Sequence, residues 1–254
     1  MIGPIALRHA GRPAAGSLAT ARVADLFGLA DREPDHVLAD NLTLDVRPGD
    51  VVLVTGPSGS GKSSLLRELG RRLGAVDVNA LPLPDGPLVD ALPGPIDGRL
   101  ATLAGCGLGE ARLMLRTPAE LSDGQRHRFR IAYAIAGIGA AGGPPVLLLD
   151  EFGAVLDRPL ARVLAFTVRK LAARAGVGVL AATTHDDLTA DLAPDLWVRC
   201  LGDARFEVER ADGAVKKKWS PSPTSCGCPP APSPTGRTSL GGITAATGWR
   251  SSAG

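Results

Sequence analysis

The sequence predicts an α/β fold with a mostly parallel sheet, and three observations carry that prediction. Two apolar runs, VVLVT at 51–55 and VLLL at 146–149, lack the alternation of a half-exposed strand, as strands covered on both faces require. Between and after them, apolar residues recur at helical spacing. Turns rich in Gly and Pro separate the two kinds of segment, the order expected when each strand is followed by a helix that packs back on the sheet.

Along the chain, TLDV (43–46) and VVLVT read as strands on either side of the turn at Pro48, Gly49 and Asp50. A helix is predicted over 62–73, a loop-like Pro- and Gly-rich interval over 80–98, and helices over 101–115 and 123–138. The uncharged stretch 131–149 is long enough to raise the question of a membrane span. Gly142, Gly143, Pro144 and Pro145 cut it into a helix end, a turn and a short buried strand. No direct membrane insertion is expected, so any membrane role needs another chain. A helix over 159–175 and strands in VGVLAATTH, LWVRC and RFEVER complete the pattern, with no internal repeat.

Composition narrows the classes. In 254 residues, 44% hydrophobic content suffices for a core, and 4% aromatic content makes that core mostly Leu, Val and Ala. A net charge of +2 does not support binding to nucleic acid. Four cysteines in so long a chain do not suggest a disulfide scaffold, and Cys226 and Cys228 form a lone C-x-C without further zinc ligands. The N-terminal run is too short and broken for a signal peptide, and a cytoplasmic location is expected. Composition changes at Lys216–Lys218: beyond it only Arg237 and Arg250 are charged, and without them basic and acidic residues balance. The expected organisation is an extension over 1–20, a folded body over 21–215 and a low-complexity tail over 216–254 with too little apolar surface to order itself.

The chemistry begins at GPSGSGKS, 56–63, which fills the pattern G-x-x-x-x-G-K-[ST] between an apolar strand and a helix. Gly56, Pro57, Ser58, Gly59, Ser60, Gly61, Lys62, Ser63 and Ser64 are the expected phosphate cradle. Glycines let backbone N–H groups turn inward around phosphate oxygens, and the helix dipole adds positive potential. Lys62 would reach the β- and γ-phosphates of ATP, and Ser63 would offer its hydroxyl to Mg²⁺. VLLLDE, 146–151, is an apolar strand ending in two carboxylates. Asp150 would help hold the metal, and Glu151 would accept a proton from the attacking water.

Three further pieces follow in order: LSDGQRHR before the carboxylate strand, GAVLD just after it, and ATTHDD at the end of the next strand. With the phosphate loop, this order resembles the nucleotide-binding domain of the ABC-type ATPases over roughly residues 20–210. The resemblance implies a P-loop NTPase of ABC type with a small antiparallel β part and a shortened helical subdomain. It implies an ATP-dependent homodimer, head to tail, with ATP between the phosphate loop of one copy and the signature, LSDGQ, of the other. Ser122, Gly124 and Gln125 would then serve the partner's nucleotide, Asp157 would lie at the dimer seam, and His185 would contact the γ-phosphate. Taken as residues, LSDGQ is a helix start with Ser122 as cap. In this family the signature is itself a helix start, so the readings agree. Asp123 stands where a Gly is usual; it would repel phosphate unless it turns outward or meets Arg126 or Arg128. Phe27 is a candidate to stack on adenine, against the plainer reading of a core aromatic.

No Gln lies between Lys62 and Gln125, so the family's glutamine loop, which couples ATP to membrane subunits in transporters, is absent. LPLPDGPLVDAL and ELSDGQRHRFRIA are similar to soluble ABC-type ATPases fused to a predicted acetyltransferase domain. Two readings of the tail stay open: a disordered segment, or a frame-shifted remnant of such a domain. Shifted by one base, codons 234–236 permit Asp-Trp, and codons 242–245 permit His-Tyr-Arg. The sequence-based expectation is a soluble Mg²⁺-dependent ATPase acting on an unknown protein partner or fused acyltransferase-like domain. The alternatives are the ATP-binding subunit of a membrane transporter and an ATP-dependent binding switch with little turnover.

Overall fold

The apolar runs become the middle of a six-stranded sheet. The computed structural model describes residues 2–10, 16–29, 35–141 (backbone only beyond 138) and 146–211. Its strands are β1 (Ile2–His9), β2 (His36–Leu44), β3 (Val51–Thr55), β4 (Val76–Asp77), β5 (Val146–Leu149), β6 (Gly178–Thr183), β7 (Leu196–Gly202) and β8 (Arg205–Arg210). Its helices are α1 (Leu18–Phe27), α2 (Lys62–Leu73), α3 (Leu88–Ala91), α4 (Ile96–Gly105), α5 (Ala111–Met114), α6 (Asp123–Ala141), α7 (Arg158–Ala175) and α8 (Thr189–Leu192). The large sheet runs β4-β5-β6-β3-β7-β8, parallel throughout except for β8, which returns antiparallel on β7. β1 and β2 form a separate antiparallel pair.

The central strands lack alternation because both faces are covered. Val51 and Leu53 join Phe129, Ile131, Leu164 and Val168 on one side. Val52 and Val54 join Ile5, Leu44, Leu65, Leu66 and Leu69 on the other. Each such side chain contributes about 1.5–3 kcal/mol when fully buried. Asp195 fixes the entry to β3: its carboxylate accepts from Val51 N at 2.8 Å and from both terminal nitrogens of Arg169, at 2.5 and 2.9 Å.

Several sequence-based boundaries need correction. Residues 1–20, expected as an extension, carry β1, whose Ile5 is fully buried. Arg72 of α2 holds β1 by donating to the carbonyls of Gly3 (2.9 Å) and Pro4 (3.3 Å). The TLDV strand belongs to the longer β2 and stops at Leu44, where Arg47 N turns back to the Asp50 carboxylate at 2.9 Å. The 80–98 interval is not all loop, since α3 and the start of α4 fall in it and Leu88 and Leu92 are buried. The helix expected over 101–115 is broken. Gly107 takes a left-handed φ of 73°, and an added Cβ there would meet the Arg128 guanidinium at 2.7 Å. Phe27 is not a core residue; it is 74% exposed at the end of α1 and is not among the residues lining the cavity described below. The described body lies in one compact unit, Met1–Ala214. The second unit, Val215–Gly254, with the tail and Cys226 and Cys228, lies outside the described residues, as does the turn 142–145.

Candidate nucleotide site

The phosphate loop leaves β3 at Gly56, and only glycine fits there. Its φ is 143°, and a Cβ would lie 2.2 Å from the carbonyl oxygen of Cys200 on β7. Gly61 closes the loop at φ 88° and stands at the N-cap of α2 without offering a side-chain cap. The first amides of α2 are therefore free for an anion. Lys62 is 9% exposed and folds back to donate to the carbonyl of Pro57 at 2.6 Å. Burial holds its ammonium below the usual lysine pKa, against the opposing pull of Cys200 and Asp150. A buried cation whose hydrogen-bond partner is a neutral carbonyl favours an anion beside it. The hydroxyl of Ser60 is buried without a hydrogen-bond partner among the described residues. A free helix start, a desolvated ammonium and an orphaned hydroxyl on one loop are the donor set that a polyphosphate satisfies.

Asp150, just beyond β5, faces this loop. Its Oδ1 accepts from Ser63 Oγ at 2.9 Å and from Glu151 N at 3.1 Å. Its Oδ2 lies 3.4 Å from Arg67, and its main-chain carbonyl accepts from Asn79 Nδ2 at 3.3 Å. A hydroxyl and a carboxylate oxygen side by side are hard-oxygen ligands, which suit Mg²⁺ completed by phosphate and water. Glu151 holds a left-handed backbone, φ 57°, rare for a residue with a Cβ. Its carboxylate has no hydrogen-bond partner among the described residues and lines the same cavity.

That cavity, about 550 Å³, brings together Ser58, Gly59, Gly61, Lys62, Ser63, Ser64, Asp150 and Glu151. It is also lined by residues that the sequence reading missed: His9, His36, Leu38, Ala154, Thr183 and Thr184. His9 and His36 are partners across β1 and β2, a pairing without a local sequence signal.

The remaining expected residues stand apart from this cavity. Ser122 and Gln125 form a reciprocal cap on α6: Ser122 N donates to Gln125 Oε1 at 3.1 Å, and Gln125 N donates to Ser122 Oγ at 3.3 Å. Gly124 packs tightly under the loop after β5; a Cβ would meet Leu156 at 3.3 Å and the carbonyl of Val155 at 3.4 Å. Asp123 turns outward, 88% exposed, and pairs with Arg126 at 3.1 Å. Asp157 caps α7, accepting from Leu160 N at 2.8 Å. His185 lies two residues beyond β6, and its backbone N–H donates to Thr183 Oγ1 at 3.2 Å.

Known proteins share both sequence and fold. A zinc import ATP-binding protein of Alkalilimnicola ehrlichii is 31% identical over 231 residues, covering 82% of this chain and 84% of its own. The chain belongs to the ABC-type ATPase family. An aliphatic sulfonates import ATP-binding protein of Streptomyces avermitilis is 34% identical over 81% of this chain and 84% of its own. No family model matches the chain. The dimeric structure of a bacterial ABC transporter cassette superposes with a TM-score of 0.51 at 22% identity, over 71% of this chain and 94% of that one. An ATP-binding cassette of an ABC transporter in its ADP conformation gives 0.52 at 18%, over 83% and 92%. At these identities the structural matches speak for the fold. As an ABC-type ATPase the protein binds ATP with Mg²⁺ and hydrolyses it to ADP and phosphate.

Proposed function

We propose that this protein is the ATP-driven subunit of a membrane importer, working at the cytoplasmic face as a head-to-tail dimer that closes on Mg·ATP and opens after hydrolysis. The observation that carries the proposal is the set of curated relatives, which are named as import ATP-binding proteins for zinc, aliphatic sulfonates, phosphonates and Fe(3+) ions. Among the described residues no helix is long and apolar enough to cross a membrane, so passage would run through another chain.

In this reading Lys62, the loop amides from Gly56 to Ser64 and the start of α2 bind the phosphates. Ser63 and Asp150 hold Mg²⁺, which supplies a Lewis-acidic charge to the phosphate oxygens. Glu151 takes the proton of the attacking water, and His185 fixes that water's geometry from the γ-phosphate side. Ser122, Gly124 and Gln125 present the start of α6 to the partner's nucleotide, with Asp157 at the seam. The free carboxylate of Glu151 argues against a binding switch with little turnover.

A second reading keeps the ATPase and changes its output to a soluble partner or a fused acyltransferase-like domain. The observation in its favour is that no Gln lies between Lys62 and Gln125, where a transporter's coupling loop is implied. The two readings separate in the source cell. A tagged Glu151→Gln chain, held closed by ATP and extracted in mild detergent, should run in native mass spectrometry as a stoichiometric complex with a multi-spanning protein. A free dimer with no membrane-associated pool would reject the importer. The nucleotide sequence beyond codon 210 would then show whether an acyltransferase frame continues.

A further inference from the structure

The backbone of Asp150 is tied to the signature helix through two side chains. Asn79 follows β4 at the sheet edge, in the short turn Val78–Ala80, which is capped by Asp77 accepting from Asn79 N at 2.9 Å. From there Asn79 Nδ2 donates to the carbonyl of Asp150 at 3.3 Å. The turn is itself gripped from α6. One terminal nitrogen of Arg130 donates to the carbonyls of Val78 (3.5 Å), Asn79 (2.5 Å) and Leu81 (3.0 Å). Arg130 lies about two turns beyond the start of α6. An α-helix is stiff over that length, so a tilt or shift at Ser122–Gln125 is carried to Arg130. Sequence spacing does not show this path, because Asn79 and Asp150 are 71 positions apart and Arg130 and Asn79 are 51 apart.

We propose that Arg130 and Asn79 are positioning residues that couple the seating of the signature helix to Asp150, so that docking of α6 at the partner's nucleotide tunes the metal end of this chain's own site. A hydrogen bond to the main chain of Asp150 restrains where its carboxylate sits without occupying it. The three bonds from Arg130 hold the carbonyl side of the turn that presents Asn79. Mg²⁺ and the α6 surface thus report on one another within a single chain, and the two sites of a dimer become linked. The inference rests on the reading of Asp150 as the metal-side carboxylate.

The test is metal-dependent nucleotide binding, read by titration calorimetry with the non-hydrolysed analogue AMP-PNP in Mg²⁺ and in EDTA. Asn79→Ala should leave the EDTA affinity within twofold and cut the gain given by Mg²⁺ about fivefold, the worth of one ordinary hydrogen bond of about 1 kcal/mol. Arg130→Met should do the same, and the double variant should lose no more than the larger single loss, since both lie on one path. Arg130→Lys should restore part of the gain. Equal losses in Mg²⁺ and EDTA would reduce both residues to general scaffolding, and additive losses would break the link between them. If Arg130→Met does not fold, Asn79→Ala and Arg130→Lys carry the same comparison. Asp150→Asn tests the underlying assignment separately. An unchanged Mg²⁺ gain there would overturn the metal reading itself, whereas loss there with none in Asn79→Ala would overturn only the coupling.

Discussion

The phosphate loop and the start of α6 are both glycine-containing helix starts, yet the chain finishes them in opposite ways. At α2 the N-cap is Gly61, no side chain caps the amides, a buried Lys62 lines the cavity, and the Ser60 hydroxyl on the same loop is buried without a partner among the described residues. At α6 the cap is made internally by Ser122 and Gln125, and Asp123 is neutralised by Arg126. The first region is an incomplete donor set that a ligand completes. The second is satisfied in the isolated chain and has to exchange its own bonds to engage anything else. On the proposed reading, the difference teaches that nucleotide binding belongs to one chain, while the signature's contribution is conditional on closure.

The strongest challenge to this contrast is Lys62→Ala, which should weaken ATP binding at least about 100-fold by calorimetry, the scale of a buried charge-assisted contact. Retained affinity would mean that the cradle is not the incomplete side. Next, Glu151→Gln should lower hydrolysis roughly 10²–10⁴-fold with ATP affinity kept, and should accumulate an ATP-bound dimer on a sizing column. Parent-like turnover would remove the carboxylate from the chemistry.

A smaller effect concerns the support of the cradle. Glu68 on α2 accepts from Arg71 and Arg72, and these bonds hold its carboxyl down from 4.5 to about 2. A depressed folded-state pKa means that its contribution is complete above about 4.5 and lost as pH falls through about 2. Glu68→Gln should cost about 0.5–1 kcal/mol at neutral pH by chemical denaturation and flatten that acid limb. It should also loosen β1, which Arg72 holds and which brings His9 to the cavity.

The smallest effect is expected at Asp123. With its carboxylate outward on Arg126, Asp123→Asn in the Glu151→Gln background should change dimerisation less than twofold in the ultracentrifuge, since such exposed pairs are worth a few tenths of a kcal/mol. A clearly tighter dimer would show that the acid turns toward phosphate on closure, and that the α6 start is less self-contained than it looks in one chain.

What was legible in the sequence is what is contiguous. Gly56–Ser63 specifies a strand exit, a turn and a helix start within eight positions, and its chemistry sits on the same residues as its geometry. Val146–Glu151 does likewise. The reading failed where position depends on pairing at a distance. His9 and His36 reach the cavity only because β1 and β2 pair in one register, and bulges between Ile2 and Arg8 hide any periodicity. The 101–115 pattern is helical in composition, but Gly107 is needed for the close approach of Arg128 and breaks it. Phe27 drew attention as an aromatic, yet no apolar spacing on α1 leads to a buried face, and the helix buries none of its residues. Arg126 was legible as a partner for Asp123, but the loop carbonyls that Arg126, Arg128 and Arg130 also reach are brought near only by the folded chain.

With Glu151 as the proposed base, its left-handed backbone sets thermal robustness against turnover at one position. Replacement by glycine would relax a conformation that costs about 1–3 kcal/mol and should raise the melting temperature, while deleting the carboxylate proposed to take water's proton. Selection for a hardier chain alone would drift toward that silent variant. On that proposal, keeping Glu151 trades stability for turnover.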